Sequence, residues 1–386
     1  MDVKIIQSAS GPLAYRECGQ GTALVFLHAN PGDSEDFAHL MPQLAENYRC
    51  IALDWPGYGQ SPLNRPVEQV DFTFLRETLT DFLDALGLQR VILCGHALGA
   101  YMACDFARLN PLRVSQLILL SPAGFSANRM SLRLFYRMMS RPWGISAQGS
   151  ARQYLKKSTV YSSAMKMRAA AVDQHPQRKA LYRQLWSLFT GRNHYLTGHL
   201  QEIHCKVLLV MGKKDPFSRV RADGINAMAS LPHAQFKLLP GGHGPFAEVP
   251  ELFKTTLQEF LAGKNFTGPK PAQLRTRYWL KEAVMWAGIA AVWLSLPYFY
   301  QPAADAREII VYSSPDCGYC KKLERDLNAL HIPYENRVVL GSVQGFIGYT
   351  ALRGSGVPLI VAGDQVIHGY NKPLLDKQLH KLGYME

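Results

Sequence analysis

Cysteine is scarce in this 386-residue chain: seven in all, of which Cys18, Cys50, Cys94, Cys104 and Cys205 are scattered, mostly inside apolar runs. That scatter excludes a disulfide framework and predicts buried free thiols of a reducing compartment. The first residues, MDVKIIQSAS, lack the apolar core of a secretory signal. Acid is nearly missing from one stretch. Between Phe125 and Leu200 thirteen Lys and Arg face a single acid, Asp173, so this window carries +12, as much as the whole chain, and the remainder sums to zero. Such a patch suits anionic lipid, an anionic substrate or nucleic acid, unless it is only a solvated face. No recognised nucleic-acid-binding pattern accompanies it, so nucleic acid is not an expected partner. Repeats and low-complexity tracts are also missing.

What is present is 47% hydrophobic sequence, enough for a large core, in a chain too long for one ordinary domain. Residues 1–263 alternate short apolar runs (VKIIQ, ALVFLHA, CIALDWP, VILCG, LILLSP, KVLLVMG, FKLLP) with helical patterns such as FTFLRETLTDFLDALG. Alternation of this kind predicts an α/β fold with a mostly parallel sheet, its core formed by 1–124 and 201–263. The basic window 125–200 interrupts the alternation and reads as a helical cap. In it Arg129, Arg133 and Arg137 recur every four residues beside Met130, Leu134 and Met138, a basic amphipathic helix suited to anionic headgroups. Residues 264–282 form a basic linker. The charge-free run 283–300, extended by Trp279 and Leu280, predicts one transmembrane helix over 279–300. Basic residues on its N-terminal side would place residues 1–263 in the cytoplasm and residues 305–386 across an inner or plasma membrane, as a single-pass protein.

Within VILCGHALGA, Gly95 and Gly99 flank position 97 at the spacing of a nucleophile elbow, the tight strand-to-helix turn that exposes a reactive side chain. Position 97 is alanine. Downstream, Asp215 ends KVLLVMGKKDPF and His243 follows FKLLP in LLPGGHGPFAEVPE, an acid and a histidine in the chain order of a Ser–Asp–His relay. Upstream, FLHANPGD places Asn30 where its backbone N–H could join that of Leu98 in holding an oxyanion. Together with Asp54-Trp55-Pro56-Gly57-Tyr58-Gly59-Gln60-Ser61, these motifs resemble those of the α/β-hydrolase fold family. The resemblance implies a cofactor-free hydrolase of an acyl ester or thioester, with a lipid-like small molecule as one candidate substrate. Asp215 would orient His243 and His243 would act as base. A methyl group cannot attack a carbonyl, so this chain would be hydrolytically dead. Three readings stay open: a serine-type enzyme carrying Ser-to-Ala at 97, which is the reading adopted, a natural pseudo-hydrolase that binds an acyl ligand or recruits its neighbour to the membrane, or nucleophilic supply by Cys94. His96 and His28 read as spacer and loop-structuring residues.

Cys317-Gly318-Tyr319-Cys320 stands between a strand-like EIIVYSS and a helical CGYCKKLERDLNALH. A helix N-terminus favours a thiolate at Cys317, and Cys320 one turn on can resolve a mixed disulfide. A zinc site would need a second pair, which the sequence lacks, so no metal is expected. Residues 305–386 resemble a glutaredoxin of the thioredoxin-like fold, through YSSPDCGYC, Gly356-Val357-Pro358 and Val366-Ile367-His368-Gly369-Tyr370. The resemblance implies thiol–disulfide exchange with a protein or glutathione, and gives Pro358 the place beside the thiols. His368 stands where the family has glycine.

Overall fold

Seven of the apolar runs become strands of an eight-stranded sheet ordered β1-β2-β4-β3-β5-β6-β7-β8. The computed structural model describes residues 1–125, 130–191, 196–217, 224–231, 233–266, 287–288, 291, 308–339 and 341–385, in two compact units, Met1–Tyr278 and Trp279–Glu386. The strands of the first unit are β1 Val3–Ser8, β2 Gly11–Cys18, β3 Thr22–Leu27, β4 Tyr48–Leu53, β5 Val91–His96, β6 Val114–Leu120, β7 Lys206–Gly212 and β8 Ala234–Leu239. From β4 to β8 every pairing is parallel, whereas β1 and β2 join as an antiparallel edge. Strand β2 (GPLAYREC) went unread in the sequence because its apolar centre is short and charged residues close it.

Central strands β3 and β5 are buried along nearly their whole length, as expected of parallel strands covered on both faces. Helix α1, Phe72–Ala85, starts where Asp71 accepts from the Phe74 N–H and stops before Gly87, whose φ of +68° is left-handed. Helix α2, Leu98–Leu109, follows β5 directly and is buried from Leu98 to Ala107. Between β6 and β7 lie α3 Met130–Met139, α4 Ala147–Tyr154, α5 Val160–Gln174 and α6 Pro176–Ser187. Helices α7 Ile225–Ser230, α8 Pro245–Glu248 and α9 Pro250–Leu261 complete the unit. Arg133 and Arg137 lie on α3 as the spacing requires, and Leu134 is exposed beside them. Arg129 lies outside the described residues.

An ion cluster ties α5 to the loop after β3. Arg168 reaches Asp33 at 3.1 Å and Asp36 at 2.5 Å. Burial, then the charge of Asp36, pushes the Asp33 carboxyl from its ordinary 3.8 up to about 7, against the opposite pull of Arg168.

In the second unit β9 Ile309–Ser313, β10 Glu335–Val338, β11 Leu359–Ala362 and β12 Gln365–His368 form a sheet ordered β10-β9-β11-β12. The β9–β10 pair is parallel, the other two antiparallel. Both faces are covered. Ile309, Val311 and Ile360 pack with Leu323 and Leu327 of α10, Gly318–Ala329, and with Leu375 and Leu379 of α12, Lys372–Lys381. Ile310, Tyr312, Leu359 and Val361 face the other way, where Tyr349 of α11, Val343–Ala351, packs against them.

The expected transmembrane helix is overturned. Among the described residues no helix is long and apolar enough to cross a membrane. The longest of the α-helices described is α5, with 15 residues, or roughly 22 Å at 1.5 Å per residue against a hydrocarbon core of about 30 Å. Of the run 279–300 only Ala287, Gly288 and Ala291 are described, and the rest, like most of the linker 264–282, lies outside. Hydropathy of a run measures transfer preference alone, and a crossing also requires a continuous helix that satisfies every backbone group. The single-pass localisation and the two-sided topology fall with it.

A methyl placed on Gly99 would sit 2.1 Å from the Leu27 carbonyl oxygen, whereas one on Gly87 meets nothing within 4 Å. Gly99→Ala is therefore expected to cost roughly 1–3 kcal/mol or more through forced backbone shifts, and Gly87→Ala only about 1–2 kcal/mol of left-handed strain. Urea melts of the two variants check the order, and equal losses would contradict it. For Asp33, a folded value above the unfolded one means stability falls as pH rises from about 4 to about 7. The Tm advantage of Asp33→Asn should therefore grow across that window, and a gap independent of pH would refute the assignment.

Candidate active site

Ala97 occupies the bend between β5 and α2 with φ 47° and ψ −104°, a conformation that costs an L-residue of order 1–3 kcal/mol and persists only where its surroundings over-determine it. They do so here. The Ala97 N–H donates to Leu120 O at 2.9 Å, and Ala97 O accepts from the N–H groups of Tyr101 and Ala123 at 3.0 and 3.2 Å. Close packing completes the constraint, since a Cβ on Gly95 would lie 2.4 Å from the Gly99 backbone. The result turns the Ala97 side chain toward a cavity of about 70 Å³ that Asn30, Leu98 and His243 also border.

His243 and Asp215 arrive from the ends of adjacent strands, whose following loops are laced together. Lys213 N–H donates to Leu239 O at 2.8 Å and Lys214 N–H to Gly241 O at 2.7 Å. Gly212 has no room for a side chain, because a Cβ there would fall 1.7 Å from Gly242 O. The His243 Nδ1–H donates to Asp215 Oδ2 at 2.8 Å, and Asp215 Oδ1 accepts from the Phe217 N–H at 2.8 Å. The Asp215 side chain is fully buried. Its bond fixes the tautomer of His243 and leaves Nε2 as the nitrogen with a lone pair.

Glu248 holds the histidine loop. Its buried carboxylate accepts from the backbone N–H groups of Gly242 (2.9 Å), Lys156 (2.8 Å) and Lys157 (2.7 Å). It thereby binds that loop to the segment after α4, while the His243 N–H donates to Tyr154 O at 2.9 Å. His96 supports the ring from behind. Its Nε2–H donates to His243 O at 3.0 Å, and burial holds this imidazole far below its usual range and so neutral. His28, also neutral through burial, accepts from the Trp55 N–H at Nε2 and donates from Nδ1 to Ala29 O. His28 thus sits within the oxyanion loop's own bonding, whereas His96 does more than space the elbow.

The side chain of Asn30 is engaged by Tyr58, which donates its hydroxyl to Oδ1 at 2.6 Å, and by Tyr182 O, which accepts from Nδ2 at 3.0 Å. What Asn30 offers the cavity is therefore its backbone. Leu98 opens α2, so its N–H has no acceptor within the helix. Cys94 is buried on β5 and burial pushes its thiol up, which removes it as a nucleophile. Tyr154 and the aromatic walls of the cavity were not found from sequence, and Glu248 was read only as a member of the LLPGGHGPFAEVPE histidine loop, without a role. Glu248 stands five residues after His243, but nothing local marks it as a carboxylate that turns inward.

In the second unit Cys317 caps α10 and is disulfide-bonded to Cys320, with 5.3 Å between Cα atoms. The Cys320 N–H lies 3.0 Å from Cys317 Sγ. Cys320 is buried and Cys317 partly exposed. Cys317 Sγ is 3.5 Å from Val357 O, and the following Val357–Pro358 bond is cis. The three residues singled out from sequence therefore meet at one place. Among the described residues no group of three or more His, Cys, Asp or Glu could hold a metal ion.

The alpha/beta hydrolase fold family matches residues 22–250. The 2-hydroxy-6-oxo-6-phenylhexa-2,4-dienoate hydrolase of Burkholderia cepacia is 26% identical over 263 residues, covering 64% of this chain and 90% of its own. Among solved structures, a bacterial membrane phospholipase A described as a virulence factor superposes with a TM-score of 0.58 at 24% identity, over 68% of this chain and 86% of that one. A thermophilic esterase from Thermogutta terrifontis does so with a TM-score of 0.57 at 20% identity, over 68% and 98%. With the sheet order, the elbow and the Asp215–His243 pair already in place, the match over more than half its length shows that this chain belongs to the α/β-hydrolase fold family.

Proposed function

We propose that residues 1–263 form the acyl site of a serine-type hydrolase for an ester or thioester, complete except for the nucleophile at position 97. The observation that carries this reading is the Asp215–His243 hydrogen bond at 2.8 Å beside a cavity that Ala97 also borders. A hydroxyl at 97 would give its proton to His243 Nε2 and attack the acyl carbon, with the Asn30 and Leu98 N–H groups receiving the oxyanion. His243 would then protonate the leaving group, and water would release the acyl group by the same route. With alanine there, the site binds the acyl group and stops. That second outcome is the pseudo-hydrolase reading, and the strained φ of 47° at Ala97 bears on it, because a fold retains such a bend only while its surroundings enforce it.

For residues 305–386 we propose thiol–disulfide exchange of the glutaredoxin kind. In the reduced protein the Cys317 thiolate attacks a partner disulfide and releases one partner thiol. Cys320 then displaces the second, so the partner is reduced by two electrons and the Cys317–Cys320 disulfide forms. The exposure difference between the two sulfurs supports that order. Pro358 lies beside them, and glutathione is the candidate small-molecule partner.

Ala97→Ser should raise hydrolysis of p-nitrophenyl esters or acyl thioesters by about 10³-fold or more, and adding His243→Ala should abolish the gain. A folded Ala97→Ser protein inert across short and medium acyl groups would leave only the binding role. In the second unit, Cys317→Ser should eliminate reduction of a mixed-disulfide substrate. Cys320→Ser should accumulate a covalent adduct at Cys317, detectable by intact mass. Unchanged turnover in Cys317→Ser would refute the assignment.

A further inference from the structure

The stretch 125–200 holds a net charge equal to that of the whole chain, yet among the described residues it brings no cation to the border of the cavity at Ala97. Among the described residues, it contributes aromatic and aliphatic walls: Phe135 and Tyr136 from α3, Tyr154 from α4, Leu185 and Trp186 from α6, and Phe189 just beyond. Among the described residues, neither Lys, Arg, Asp nor Glu borders this space.

Three cations of this stretch are committed elsewhere. Arg168 is held by Asp33 and Asp36, Arg178 donates to Gly59 O at 2.8 Å, and Arg183 donates to Arg141 O. The rings form a continuous frame. Trp186 meets Phe135 edge-on at 5.8 Å and Phe217 at 6.1 Å, Phe135 lies 5.7 Å from Phe217, and Phe217 touches His243 at 5.8 Å. Burial pushes the Tyr154 phenol up, so it stays neutral.

Resting on the acyl-site reading above, we infer that this frame selects a neutral, apolar acyl group, aromatic or short-chain aliphatic, and rejects one that carries a carboxylate at its far end. Desolvating a carboxylate without a partner costs several kcal/mol. His243 gives no relief, because Asp215 already pairs with it and would repel a second anion. Aromatic walls reward a flat apolar group with area burial and edge-to-face contact.

The test uses the full chain as it stands, Ala97 included, and a matched pair of ketones, 4-methylacetophenone and 4-acetylbenzoate, titrated by calorimetry with intrinsic tryptophan fluorescence as a second signal. The neutral ketone should bind at least 50-fold more tightly. In the Ala97→Ser protein the corresponding neutral aryl ester should exceed its carboxylate analogue at least 50-fold in kcat/KM. Leu132 of α3 also borders the cavity, and Leu132→Lys, which brings a cation to that wall, should narrow the gap at least tenfold while the neutral ketone still binds. Carboxylate binding within threefold of neutral binding, or tighter, would overturn the inference and leave the acyl site standing. If neither ketone binds and Ala97→Ser is inert, the acyl-site reading itself fails and the inference with it.

Discussion

Backbone-to-backbone contact around Gly95 and Gly99 is the constraint on which the hydrolase-like unit depends. Only at these two positions can α2 fold back so closely on β5 and β3, with a Gly99 Cβ excluded by Leu27 O at 2.1 Å. That contact forces the residue between them into a left-handed turn, and the turn aims position 97 at the cavity. The bonds from Leu120, Tyr101 and Ala123 fix it there. Because the strain is backbone strain, it outlasts the identity of the side chain.

The second support comes from two further strands, at the same carboxyl end of the sheet as the elbow. Parallel strands β7 and β8 place two loops side by side, and Gly212 lets them touch, so that Asp215 and His243 come within hydrogen-bonding distance. Glu248 extends the support outward. One buried carboxylate accepts N–H groups from the histidine loop and from the segment after α4, so the base and the roof of the cavity share an anchor. Loss of that charge would loosen both, since each donor would lose its acceptor and the Gly242 N–H would be left buried and unpaired. The roof therefore belongs to the site, and of its cations Arg168 and Arg178 are bound by carboxylates and by a carbonyl that do not border the cavity.

Much of this was legible in the chain. Gly95, Ala97, Gly99, Asp215 and His243 are marked by local rules, a tight turn and strand ends, which act within a few residues. Cys317, Cys320 and Pro358 are local in the same sense. What stayed hidden depends on contacts across long sequence separations. Glu248 meets Lys156 across 92 residues, Arg168 meets Asp36 across 132, and Asn30 meets Tyr182 across 152. Strand β2 was lost for a related reason, since its antiparallel place beside β4 is settled by pairing more than by its own composition. The run 279–300 misled in the opposite direction. Its apolar content is a local fact, but a bilayer crossing is a statement about a continuous helix, and no helix among the described residues satisfies it.

An oxygen placed at position 97 must be activated by His243 if this turn is a nucleophile site. Intact-protein mass spectrometry after treatment with a fluorophosphonate measures this without assuming any substrate. The Ala97→Ser protein should gain one phosphonyl group mapped to residue 97, the parent chain should gain none, and Ala97→Ser/His243→Ala should label far more slowly. An Ala97→Ser protein that stays unlabelled, or that labels equally fast without His243, would contradict the claim that the fold holds a base ready for a nucleophile at this turn.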